Sequence, residues 1–267
     1  MQLSTSRVRA IVHKELRDFR RNRFIMGTMT VMPVIFVILP ITNMFTIAAS
    51  APPGRIDKFV GLTVLYLLLI PALVPATVAA YAIVGEREQG TLEPLLTTPV
   101  RREEFLLGKA LAAFIPTIVI AYAMYGLVLG VIAAFAHQNV ADDIFQAPRI
   151  VAQLLFTPLL AAWSIWAGIA ISVRANDVRV AQQLGSLASL PPLAVTALMG
   201  FGVIQPTLGL SLAFGAALLV VDLLAWRVVA TMFDRERLIT ASKATTAARR
   251  PATVLGWRNA PGAADPS

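Results

Sequence analysis

The sequence predicts an all-α integral membrane protein: six transmembrane helices, an N-terminal amphipathic interfacial helix, and a short cytoplasmic coupling helix between spans two and three. Three observations carry that prediction. First, of 267 residues 57% are hydrophobic and 14% charged, with a mean hydropathy of +0.71. A soluble domain carries about 25% charged residues and has no core large enough to hide such an excess. Second, six stretches reach the roughly 20 residues needed to cross a hydrocarbon layer about 30 Å thick. Third, the cations are segregated: of 23 Lys and Arg, all but Arg55, Lys58 and Arg149 fall in segments that alternate spans place on one face. Composition excludes soluble globular enzymes, and the absence of cysteine excludes disulfide scaffolds, thiolate metal sites and thiol nucleophiles.

Residues 1–23 form the first element. Val8, Ile11, Val12, Leu16 and Phe19 recur at helical spacing, with Arg and Lys opposite them. Such a helix lies on the inner leaflet, its apolar face among acyl chains and its cations near anionic headgroups, either alone or also touching a cytoplasmic partner. The membrane domain covers residues 24–230, with spans at 24–49, 59–84, 110–136, 150–173, 184–204 and 207–226. The apolar run before Ala49-Ser50-Ala51 is too long for a cleaved signal peptide, so the first span is retained. Pro33, Pro40, Pro71, Pro75, Pro116 and Pro158 lie within spans as kinks, which membrane helices tolerate. Pro191-Pro192 interrupts the fifth stretch, and Gln205-Pro206 separates it from the sixth. Gly126 and Gly130 form a G-x-x-x-G pair for close helix contact, within the chain or with a second copy. Asp222, the one acid inside a span, sits about a turn from Arg227 and is read as interfacial or functional. Residues 231–267 read as a mobile cytoplasmic tail, rich in Ala, Thr, Pro and Gly. The cation bias places both termini in the cytoplasm and the chain in the inner (plasma) membrane.

The segment between the second and third spans is the most informative, with a coupling segment at 85–104. Gly90 permits a sharp break, and Thr91 caps a short helix with Glu93 and Pro94 in its first turn. Leu92, Leu95 and Leu96 give that helix an apolar face that needs a cover. Thr98-Pro99 then starts the next helix, with Glu103 and Glu104 near its positive end.

The run EREQGTLEPLLTTPVRREEFLLGK over residues 86–109 resembles the permease subunits of type 2 ABC transporters, with Glu88, Gly90, Thr91, Glu93, Leu95, Leu96, Pro99, Gly108 and Lys109 in register. SVRANDVRVAQQLG at 172–185 is similar to the family's connection between spans four and five. The resemblance implies a coupling helix that docks into an ATP-binding subunit through Glu86, Glu88, Gly90, Thr91, Leu92, Glu93, Leu95, Leu96 and Pro99. It implies a secondary cytoplasmic contact at Arg174, Asp177 and Arg179. The implied partners are two copies of that ATP-binding subunit and a second permease, identical or homologous, within membrane lipids. No nucleic acid is among the partners, since neither interleaved aromatics nor a recognition motif accompanies the basic charge.

The chain itself has no G-x-x-x-x-G-K-[ST]; Gly108-Lys109-Ala110 lacks both the upstream glycine and the hydroxyl. It is therefore expected to bind no cofactor and to be no enzyme, leaving ATP and magnesium to the partner. His13 and His137 fall on opposite sides of the membrane and cannot share a metal. Asn43, Thr46 and Tyr66 are candidates for a substrate pathway. Two rival classes are a secondary transporter driven by an ion gradient and a non-transporting membrane scaffold or immunity protein. The first would want buried acids or unwound mid-span sites.

Overall fold

The computed structural model describes residues 4–90, 101–204 and 207–232, and every regular element among them is a helix. In chain order these are α1 (Thr5–Arg21), α2 (Arg23–Met44), α3 (Pro53–Ala80), α4 (Val84–Gln89), α5 (Arg102–Phe135), α6 (Gln138–Ile144), α7 (Ala147–Arg174), α8 (Val178–Ala188), α9 (Leu190–Gly200) and α10 (Leu208–Met232). Five helical units are long and apolar enough to cross a membrane: α2, α3 with α4, α5, α7 and α10. This is a multi-pass α-helical membrane protein. The six span prolines named above all lie inside these helices without ending them. The tail expected at 231–267 lies outside the described residues from position 233 on.

Asn22 separates α1 from α2. Its backbone is extended, and its side-chain oxygen accepts hydrogen bonds from the Phe24 and Ile25 N–H groups at 3.0 and 3.3 Å. That cap starts α2 afresh in a new direction. Part of the apolar stripe of α1 is turned to the protein, beyond what its periodicity alone suggests. Val8 and Phe19 are buried in the protein, and Ile11 lies on Gly108 of α5. A Cβ on Gly108 would stand 2.6 Å from the Ile11 side chain, so the glycine is what lets the two helices approach.

Two spans depart from the sequence reading. The second, expected to run unbroken to residue 84, ends as α3 at Ala80; a turn at Tyr81, Ala82 and Ile83 then re-aims the chain into α4. The fifth, expected over 184–204 with an interruption at Pro191-Pro192, starts earlier, at Val178, and is two helices of 11 residues that meet at Ser189. Pro191 and Pro192 lack the N–H groups that would continue the ladder of α8, and both fit the first turn of α9.

The two short helices run back along α7. Gly185 lies beside Gly168, the Trp163 indole N–H donates to the Ala188 carbonyl at 2.8 Å, and the Ser189 hydroxyl donates to that of Ser164 at 3.0 Å. Met199 then joins Phe156 in a core shared with Leu68, Ala72, Leu160, Leu193 and Leu218. At Gly200 the backbone touches α3, where a Cβ on Gly61 would fall 1.9 Å from the Gly200 carbonyl oxygen.

The last helix, α10, lies along α7 in the same direction. Phe214 meets Phe156 edge-on at 5.2 Å and Trp226 meets Trp166 at 5.0 Å, so both helices advance together. Asp222 is 5% exposed on the buried face it shares with Gly215 and Leu218, and both its oxygens lack a hydrogen-bond partner among the described residues. It does not reach outward as an interfacial acid would. Gly126 and Gly130 have open space where a Cβ would project, so neither serves packing among the described residues of this chain.

The charged groups collect at the two ends of the bundle. At one end Arg149 pairs with Asp57 and, at 2.9 Å, with Asp143. At the other, α1, α4 and the N-terminus of α5 come together, and Arg102 donates to the Ala230 carbonyl of α10 at 3.2 Å.

Candidate functional site

The site begins with a buried lysine. Lys109, 4% exposed in the second turn of α5, donates to Glu15 Oε1 of α1 at 3.0 Å and to Glu86 Oε1 of α4 at 2.9 Å. Lys14 donates to the same two oxygens from the outer side, at 3.2 and 3.1 Å. Two cations and two carboxylates thus form a neutral square that ties three helices together. Charges this buried persist only when each is paired. Burial pushes Glu15 upward, but the opposing charges of Lys109 and Lys14 and their hydrogen bonds outweigh it, holding its carboxyl below the usual range. For Lys14, burial pushes downward and Glu15 and Glu86 more than reverse that, so its amine lies above its ordinary value.

Glu104 fastens α1 a second time. It is buried at position N3 of α5, where one oxygen accepts the Arg101 N–H at 3.1 Å in a capping box. The other oxygen accepts the Ser4 N–H at 2.9 Å, and Arg7 pairs with the carboxylate at 3.4 Å. The start of α1 is therefore pinned to the start of α5.

Across α4 a second set of bonds reaches the connection after α7. The Ser172 hydroxyl donates to the Ala80 carbonyl at 2.7 Å and accepts the Ile83 and Val84 N–H groups at 3.1 and 3.0 Å. One side chain thereby satisfies the groups freed by the break between α3 and α4. Arg87 donates to the Val173 and Ala175 carbonyls, both at 3.1 Å, capping the C-terminus of α7. Glu88 accepts the Val178 N–H at the start of α8 at 3.2 Å. Beside it Asp177 caps α8 through its own bonds from Arg179 and Val180.

Of the residues expected to couple, Glu86 and Glu88 thus lie on α4 facing opposite neighbours. Gly90 ends that helix with a positive φ of 70°, the left-handed conformation glycine adopts at no steric cost. Thr91, Leu92, Glu93, Leu95, Leu96 and Pro99 lie outside the described residues. Arg174, Asp177 and Arg179 are exposed at the same end of the bundle as α4, and Asp177 is brought beside Glu88. The candidates for a substrate pathway are not brought together: Asn43 and Thr46 are exposed at the far end of α2, and Tyr66 is half-buried in mid-α3. The Thr46 hydroxyl donates to the Asn43 carbonyl at 2.7 Å, a bond within its own turn.

Sequence reasoning missed Lys14, Glu15, Arg87 and Ser172. Glu15 carried a readable signal, because it falls on the apolar stripe of α1, between Val12 and Phe19, where an unpaired acid would not be tolerated. Lys109 has no charge to spare for a phosphate, and the backbone of Gly108 is covered by Ile11. The residues present at this Gly-Lys step do not fit a nucleotide.

Long apolar helices, with charged residues that tie three elements together at one end, define a multi-pass helical membrane protein. Residues 9–213 match the family model described as ABC-2 family transporter protein, and the chain belongs to that family. Over 105 residues it is 38% identical to the probable ABC transporter permease protein NosY of Pseudomonas aeruginosa. That match covers 38% of this chain and 36% of the relative's length.

Proposed function

We propose that this chain is the permease subunit of an ATP-driven ABC exporter, seated in the inner membrane with both termini in the cytoplasm. It forms the substrate path with a second permease and takes its energy from two separate ATP-binding subunits. The observation that carries the reading is the bracing of the segment after Gly90. On its N-terminal side α4 is held by Lys109 and Lys14 through Glu86, and by the start of α8 through Glu88. On its C-terminal side α5 is held to α1 through Glu104. A force applied between those fixed ends moves α1, α4, α5 and α8 as one piece. When ATP closes the paired partner subunits, the segment at 91–100 acts as the lever, and the difference in ATP affinity between the two states is what reaches the spans.

Six crossings follow in this reading. Supporting them, α7 and α10 run in the same direction, so the chain between them has to return across the bilayer. The 23 residues from Val178 to Gly200 rise about 34 Å, enough for the hydrocarbon layer. The cation bias supports placing the α1 end inside.

Co-expression with its ATP-binding subunit tests the lever. Glu88→Ala removes the bond to α8 and Leu95→Asp places a charge on the expected docking face. Both variants are expected to insert normally yet to lose ATPase stimulation and transport by tenfold or more. Normal stimulation and transport in both would reject the assignment and leave the gradient-driven or scaffold readings.

A further inference from the structure

The charges of α1 are sorted between two sides. Lys14 and the acids turn towards α4 and α5: Glu15 is spent on Lys109 and Lys14, and Asp18 pairs with Lys14 at 3.5 Å. On the adjacent face His13, Arg17 and Arg20 line a groove whose floor is Met29 of α2 with Pro116 and Ile120 of α5. Arg21 lines it as well. Among the described residues no ion pair engages Arg17, Arg20 or Arg21.

We propose that this groove binds one anionic phospholipid of the leaflet on which α1 lies. The cations come from the interfacial helix and most of the apolar lining from two membrane-spanning helices, so the groove combines a charged wall with an oily one. An amphiphile with an anionic head and acyl chains matches both halves. A soluble anion would leave the floor wet, and a zwitterionic lipid would leave the arginines without net compensation. Each Lys or Arg near an anionic leaflet contributes about 1 kcal/mol of attraction, which favours retention of such a lipid over bulk exchange. The bound head would also hold α1 against α2 from the face next to the Lys109 square. The inference rests on the proposed placement of α1 at the inner leaflet.

Native mass spectrometry of the full purified chain, delipidated and then offered mixed phosphatidylglycerol and phosphatidylcholine, tests it. The expected result is retention of one phosphatidylglycerol per chain in preference to phosphatidylcholine. Arg17→Ala/Arg20→Ala is expected to lower that retention at least fivefold, and Ile120→Trp, which fills the floor and keeps every cation, is expected to lower it likewise. Arg227→Ala, which removes a cation at the end of α10, leaves it unchanged. Equal retention of the two lipids, or equal retention by wild type and the arginine pair, overturns the proposal. So does displacement of the lipid by free glycerol 3-phosphate at equal concentration, which would mark a soluble anion site, or loss of the groove through pairing of two chains. The readout needs no ATPase: a chain that keeps its lipid but fails to couple refutes the exporter reading alone, and one that couples without lipid refutes the site alone.

Discussion

At the residue scale, Lys109 decides more than any other side chain. Removing its charge leaves Glu15 and Glu86 facing each other across a buried space with only half-exposed Lys14 between them. Breaking a buried pair in this way costs about 3–5 kcal/mol. Lys109→Met is expected to fall near the lower end because Lys14 stays, and adding Glu15→Gln should recover most of the loss by restoring neutrality. Thermal unfolding in detergent of the single and double variants measures both. The pH dependence has a definite sign. The contribution of Glu15, whose folded value is lowered, is present above the ordinary glutamate value of about 4.3 and is lost as pH falls through the folded one. That of Lys14, whose folded value is raised, is present below the ordinary lysine value of about 10.4 and is lost as pH rises through the folded one. Docking of α1 on α5 should therefore be flat from about pH 5 to pH 10 and weaken below the lower limit. A spin-label pair placed on the two helices of this cysteine-free chain reads the separation directly. Release of α1 within the flat range would mean that the square does not hold it.

At the scale of elements, much of the bundle was legible because apolar length is a strong signal: five of the six stretches appear as the long helices α2, α3, α5, α7 and α10. What stayed hidden is how helices are broken and joined. The Pro191-Pro192 step showed that the fifth stretch was interrupted, yet nothing local marked the turn after Ala80, which has neither glycine nor proline. That turn depends on Ser172, some ninety residues on, supplying three backbone groups with partners. The residues that flank 91–100 gave no sign of their partners, since Glu86 and Glu88 acquire them, and Glu104 its bonds to Ser4 and Arg7, only when distant helices meet. Helix contacts through glycine are equally invisible in one sequence. The Gly61–Gly200 contact leaves no room for a side chain, whereas Gly126 and Gly130, with the better-known spacing, face open space. Gly61→Ala must push α3 and α9 apart, and overpacking of this kind costs about 1–3 kcal/mol. Gly126→Ala should leave the isolated chain within about 0.5 kcal/mol of wild type, as open sites do. Parallel thermal melts in detergent compare the two, and a larger loss at Gly126 would contradict this packing.

For the whole molecule, the number of crossings and the sorting of charge constrain each other. The segments rich in Lys and Arg that the structure describes gather at the end formed by α1, α4 and the start of α5, while Arg149, with Asp57 and Asp143, occupies the opposite end. If α8 and α9 did not cross, α10 would enter the bilayer from the same side that α7 exits. Its direction would then be opposite to that of α7, contrary to the order in which Phe214 and Trp226 meet Phe156 and Trp166. Gly202 bears on this directly, because the space above its Cα lies 3.6 Å from Asp57, while Asp177 lies at the other end beside Glu88. Single cysteines at these two positions, in a chain with none of its own, should report opposite sides. In intact cells a membrane-impermeant maleimide is expected to label Asp177→Cys only after lysis and Val203→Cys, exposed just after α9, beforehand; Val203 is preferred to Gly202, whose φ of 72° disfavours any side chain. Labelling of both from outside would reduce the crossings between them to an even number. The paired short helices would then be a re-entrant element, and the fifth stretch would line a cavity instead of spanning. Labelling of Asp177→Cys from outside and of Val203→Cys only after lysis would instead invert the chain, and with it the inward location proposed for the lever.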